Sequence, residues 1–307
     1  MSATFNYFYS RGAILDAWTV AGREAGNFDT PRWRDQADGP DDGDRARNRA
    51  DATVVPLVKA TMVEETHPHL DRAPITEAIL DINVEADADL EVTEAFAKQV
   101  AASYPDSLPV HAIEAFFSVT PGQSGVSGSQ SKVIGKICWN ADKTRAVQAR
   151  INGFTVNHIK HYESWTVLRS QAQPLWEQYI ALVKPKKVTR LAMRYINRLT
   201  LPVSGDLADH MLTHPRLGPS LPQQMRNFLM RVEVPFTANR VAILTETVVP
   251  REAGAAERDL ILDVDAVSMK EFDASDPQLW RELDELRVIK NKCFFGSLQE
   301  QTWRRYQ

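Results

Sequence analysis

Three arginines, Arg190, Arg194 and Arg198, recur at every fourth position in the otherwise apolar stretch R-L-A-M-R-Y-I-N-R-L-T-L-P that ends at Pro202. Fixed positive charge at that density in an apolar segment requires carboxylates or a bound anion opposite it. Two chemistries follow. Guanidiniums sharing one face can clamp a phosphate or carboxylate bidentately. They can also pair with the chain's own acids, and candidates are at hand. Glu77 and Asp81 lie in I-T-E-A-I-L-D-I-N-V-E, and Asp259, Asp263 and Asp265 lie in D-L-I-L-D-V-D. Asp263 and Asp265 could also hold a divalent cation bridging to phosphate oxygens, which would make Mg²⁺ the cofactor of a nucleotide- or phosphate-ester-handling enzyme. Cross-strand Arg–carboxylate pairing on a partly solvated sheet is the plainer reading and calls for no cofactor.

Other candidate groups read as structural. His210 and His214 are four apart, but Pro215 follows and neither Glu nor Cys flanks them, so they mark a surface helix end and no metal is assigned. His158 and His161 are three apart on an expected strand and face opposite ways, and His67-Pro-His69 carries no ligand signature. Gly122, Gly125 and Gly128 precede Lys132 without the spacing or strand-to-helix context of a phosphate loop, so 121–131 is expected to be a flexible hairpin connection. Trp139, Trp165, Trp176, Trp280 and Trp303 read as packing residues, and no nucleophile elbow or dinucleotide fingerprint is present.

The elements that must position these groups follow from periodicity. Residues 75–85 alternate as a half-buried strand, and Asp89 caps a helix with Val92, Ala95, Phe96 and Val100 on one face. Strands are expected over 111–119, 132–139, 144–151 and 154–162, with Asn152-Gly153 as a turn. Ser164 caps a long helix that Pro174 should kink or split. The arginine segment fits a helix or a strand, and the breaks at Pro185 and Pro202 favour the strand. Short helical pieces at 206–212 and 222–227 follow, then strands at 228–236, 241–249 and 259–269. A last helix opens with Ser275 and Gln278 spaced as a capping box. The expected fold is α+β, a mainly antiparallel sheet with helices on one face. The order β-α-βββ-α occurs twice, which raises a two-fold internal repeat, with units at 62–187 and 188–307 in one compact domain. Ala78-x-x-x-Ile82-Asn83 echoes Ala192-x-x-x-Ile196-Asn197, with opposite parity of the apolar faces.

Composition bounds the function. With 36 Lys+Arg against 40 Asp+Glu the net charge is −4, which disfavours a broad electrostatic grip on nucleic acid. Two distant cysteines, Cys138 and Cys293, fit neither a disulfide framework nor a Cys-based zinc site and suit a reducing cytoplasm. No apolar run approaches the length of about 20 residues that spans a bilayer. Residues 29–51 are dense in Asp, Arg, Gly and Pro, which predicts disorder, while Phe5 to Trp18 could pack as a short helix. Two readings of 1–61 stand: a disordered leader, or a chain whose translation starts at Met62.

Taken together, Pro74-Ile-Thr-Glu77-Ala78, Arg194-Tyr-Ile-Asn-Arg198, Leu262-Asp-Val-Asp265 and Lys290-Asn-Lys-Cys-Phe-Phe295 resemble a sporadically distributed family of uncharacterised bacterial proteins. The likeness runs from about Leu70 to the C-terminus, and the leader departs from it. The resemblance implies a cytoplasmic bacterial protein from an accessory gene, mobile or defence-associated, and supplies no catalytic residues. The expectation is a non-enzymatic interaction protein that binds a protein partner or a small anionic ligand, with a homo-oligomer left open.

Overall fold

Alternation in the first regular segment gives strand β1 (Ile75–Glu85), whose Ala78, Leu80, Ile82 and Val84 enter the core. The chain then forms α1 (Leu90–Val100) and four more strands, β2 (Asp106–Thr120), β3 (Gln123–Trp139), β4 (Arg145–Arg150) and β5 (Gly153–Ile159), followed by α2 (Trp165–Val183). The second half contributes β6 (Lys187–Pro202), β7 (Leu229–Thr237), β8 (Arg240–Val249), β9 (Glu257–Ser268), α3 (Gln278–Ser297) and the short α4 (Glu300–Trp303). This computed structural model describes residues 67–120, 123–160, 162–223, 225, 227–249, 252 and 254–307, with backbone alone for 113–120 and 123–130. The readings of the leader, of Met62, of His161 and of the 121–122 turn lie outside the described residues.

The nine strands among the described residues form one antiparallel sheet in the order β2-β3-β4-β5-β1-β6-β9-β8-β7. The lead strands β1 and β6 lie side by side at the middle, and each half returns by a meander to pair its last strand with its lead strand. The echoed residues do not share a face, however. Ala78 belongs to the helix-side core, whereas Ala192 alternates with Leu191 and Met193, which do. Among the described residues no helix is long and apolar enough to cross a membrane.

The helices cover one face. Phe154 at the core centre has ring centroids 5.4 Å from Tyr179, 5.6 Å from Trp176 and 6.4 Å from Phe96, joining β5 to α1 and α2. Trp165, Trp176 and Trp280 are buried there as expected. Asp89 and Ser164 cap α1 and α2 through the amides of Glu91 and Val167. Pro174 neither splits α2 nor ends it. Pro174 lies on the exposed side of the helix, where its missing N–H removes only the bond to the Ser170 carbonyl. Neither Cys138 nor Cys293 forms a disulfide.

Several expectations are corrected. The glycine-rich stretch is strand from Gln123 onward, because backbone pairing with β2 needs no side chains. The capping box of α3 does not form. Ser275 turns back to Asp273, and Asp276 accepts the Gln278 amide at 2.8 Å in its place. The 206–212 helix shrinks to one 3₁₀ turn, Leu207–Asp209, and the described residues of 222–227 are not helical.

Glu246 and Lys290 lie in the helix-side core with no ion-pair partner among the described residues. Glu246 on β8 is 0% exposed, and neither carboxylate oxygen has a hydrogen-bond partner, so burial pushes its carboxyl up to about 8. Lys290 on α3 rests 3.8 Å above the ring centroid of Tyr195, and burial, with Arg287 nearby, brings its ammonium down to about 7. The folded chain therefore holds a proton on Glu246 that the unfolded chain sheds above about 4.5, and stability drains away as pH rises from there to about 8. Lys290 has the opposite sign: its penalty is full below about 7 and fades toward 10.5. Glu246→Met should stabilise the protein at pH 9 by on the order of 4 kcal/mol and by almost nothing at pH 4. Lys290→Met should stabilise it at pH 6 far more than at pH 10. Urea unfolding of both variants across pH checks the two signs.

Candidate functional site

The second sheet face carries the charges singled out in the sequence. Odd-numbered β6 residues Leu191, Met193, Tyr195, Leu199 and Leu201 face the helices, so the strand reading holds and Arg190, Arg194 and Arg198 share the other face. β6 is flanked by β1 and β9, the two strands that carry the matching acids.

Each arginine reaches a carboxylate. Arg190 donates to Asp81 at 3.0 Å on β1 and to Asp265 at 3.3 Å on β9. Arg194 clamps Asp263 with Nε at 2.9 Å and Nη2 at 2.6 Å. Arg198 donates from Nη2 to Asp259 at 2.5 Å, and Thr200 donates to the other oxygen of that carboxylate at 2.9 Å. The register puts Arg194 opposite Asp265 and Arg198 opposite Ile261. The bonded acids lie two register positions further along, at Asp263 opposite Ile196 and Asp259 opposite Thr200, because a long guanidinium side chain spans the diagonal more readily than the direct pair.

A fourth arginine, which the sequence reading missed, completes the network. Arg150 on β4 is fully buried and donates to Thr155 at 2.5 Å, Asp81 at 2.8 Å and Asn83 at 3.2 Å. Its guanidinium crosses directly over Gly153, where a Cβ would strike it. Gly153 has no positive φ, so the glycine of Asn152-Gly153 serves this close approach and not the expected turn conformation.

The electrostatics follow from burial. Removal from water would raise Asp81, but Arg150 and Arg190 together hold its carboxyl below the usual range. Burial dominates at Asp265, whose carboxyl is raised despite Arg190 and Arg194, and whose Oδ1 has no hydrogen-bond partner among the described residues. Glu77 is likewise raised by burial, against its 2.7 Å hydrogen bond from Asn157. Arg194 is held charged by Asp263 against the opposing effect of burial. Ile79, Ile196 and Ile261 form a small apolar seam between these rows.

The seven expected residues thus fall on one face. Glu77 is hydrogen-bonded to Asn157 and feels the charges of Arg194 and Asp263 without joining their ion pair, and Asp263 and Asp265 are each engaged by guanidinium. No group of three His, Cys, Asp or Glu is placed to hold a metal ion among the described residues. His210 ends the 3₁₀ turn and His214 lies beyond it, accepting from Arg216 at 3.2 Å, so the two do not share a helical face. His158 is buried against Gln171 at 2.6 Å.

Truncating one partner of a pair leaves the other charge stranded. Arg194→Ala should lower unfolding free energy by about 2–3 kcal/mol, because Asp263 is buried beneath it. The double replacement Arg194→Leu with Asp263→Leu should recover most of that loss. A double-mutant cycle by chemical denaturation gives the comparison, and strictly additive losses would contradict the pairing.

No protein-family model and no curated protein matches the chain, so the functional reading rests on this geometry.

Proposed function

We propose that the protein works by binding and not by catalysis, and that its arginine face receives an acidic segment of a protein partner. One observation carries the reading, a gradient of exposure across the ion pairs. The side chains of Arg194 and Arg198 are 34% and 46% exposed, while Asp263 and Asp259 beneath them are 5% and 1% exposed. Their guanidiniums are anchored from below and open from above. Nη1 of Arg194, and Nε and Nη1 of Arg198, make no hydrogen bond to a described residue. A fixed arginine beside an apolar seam is the kind of anchor that protein interfaces favour, because little side-chain entropy is left to lose.

The charge balance speaks against a phosphate clamp. Arg150, Arg190, Arg194 and Arg198 share the face with Glu77, Asp81, Asp259, Asp263 and Asp265, so the carboxylates already answer the arginines. Such a face has little net field to draw a polyanion, and the arginines beside Asp263 and Asp265 compete with any cation. The accessory bacterial setting is the one suggested by the motif resemblance.

Fluorescence anisotropy with a labelled short peptide that sets one glutamate among apolar residues, so that it carries little net charge, tests the reading. The peptide should bind, and Arg198→Ala should weaken it by about fivefold, the effect of roughly 1 kcal/mol. Thermal stabilisation by ATP or polyphosphate with Mg²⁺, lost on Asp263→Asn, would instead support the phosphate-handling enzyme.

A further inference from the structure

Strand β7 closes one end of the sheet and pairs with β8 alone among the described residues. Its side chains are exposed or half-buried throughout, with Leu229 at 55% and Val234 at 37%. An edge of this kind presents a row of backbone donors and acceptors to any strand that fits it.

The phase of that row follows from the hairpin. Only Ala238 and Asn239 separate the partners Thr237 and Arg240, and the residues that flank a two-residue turn make a hydrogen-bonded pair. Across the irregularity at Phe236, Pro235 faces Val241. Proline has no N–H to give β8, so it fits where its nitrogen points away from the sheet. Counting back by twos, Leu229, Arg231 and Glu233 also turn their N–H and C=O groups outward.

We propose that β7 pairs antiparallel with β7 of a second copy of this chain, about a two-fold axis at Val232. Three features of the strand fit itself in this register. Arg231 of each copy lies opposite Glu233 of the other, two outward-facing residues that exchange backbone hydrogen bonds and carry opposite charge. On the helix side Met230 meets Val234 and Val232 meets Val232, which extends the apolar row to the joint. On the other side Leu229 meets Pro235, whose missing N–H removes a bond only at the rim. Moving the axis to Arg231 or to Glu233 sets like charges directly opposite each other. Moving it by half a residue puts outward-facing groups against inward-facing ones. In the separate chain Arg231 and Glu233 bond each other at 2.9 Å, an exposed contact that is readily exchanged for the one between copies.

A two-fold axis normal to the sheet leaves both arginine faces on the same side, so a partner with two acidic segments would engage both at once. The pairing itself does not depend on the docking reading.

Sedimentation velocity of the full chain tests it. The wild type should form dimers as concentration rises to about 100 µM. Arg231→Glu and Glu233→Arg should each remain monomeric there, and an equimolar mixture of the two should dimerise, because each supplies the charge that the other lacks. A wild type that stays monomeric, single variants that dimerise like it, or a mixture that stays monomeric would each overturn the proposal. Backbone amide exchange in the unaltered chain is an independent readout. Arg231 and Glu233 should be protected at high concentration and exposed on dilution, and exchange independent of concentration also overturns it.

Discussion

Two aspartates, Asp259 and Asp263, lie almost wholly out of water on a strand in the interior of the sheet. Burying a carboxylate without a counter-charge costs several kcal/mol, more than most single contacts return. Arg198 and Arg194 on the neighbouring strand meet that requirement, and Arg190 and Arg150 do the same for Asp81 on the other side. The sheet order depends on this. β6 has to lie between β1 and β9, because only there can one row of guanidiniums reach acids on both sides. The helix layer depends on it too. Apolar helices cannot cover a face that carries four arginines and five carboxylates, so they collect on the opposite face and the fold is one-sided.

The same pairing shapes what the face can do. Its guanidiniums are fixed from below, so they offer a partner direction and hydrogen-bond donors more than net charge. That favours a surface read by shape and local complementarity over one that attracts polyanions at a distance. The Ile79, Ile196 and Ile261 seam adds an apolar strip to the same surface.

Much of this was legible in the sequence because strand parity is unforgiving. Once 190–202 is taken as a strand, its apolar residues decide which way the arginines point, and the same rule places Glu77, Asp81, Asp263 and Asp265 with them. Arg150 could not be found that way, since it ends a short strand and its partner Asp81 lies 69 residues away in sequence. The diagonal choice of partner was equally hidden, since it depends on register and side-chain reach. Glu246 and Lys290 were present in the pattern and were passed over. Glu246 shares parity with Ala242 and Leu244, and Lys290 falls four residues after Leu286 on the stripe of α3. Neither was singled out as buried, because burying an unpaired ion is unfavourable, and the chain accommodates them by moving both toward the neutral form.

The central claim is that the arginine face is a set of closed pairs within the chain. Nitrogen-resolved NMR of arginine side-chain proton exchange tests it most directly. Nε–H of Arg194, held by both oxygens of Asp263, should exchange far more slowly than Nε–H of Arg198, whose single bond to Asp259 runs through Nη2. If Arg194 exchanged as fast as Arg198, or as a free arginine does, the face would be an open cluster of charges and the account would be wrong.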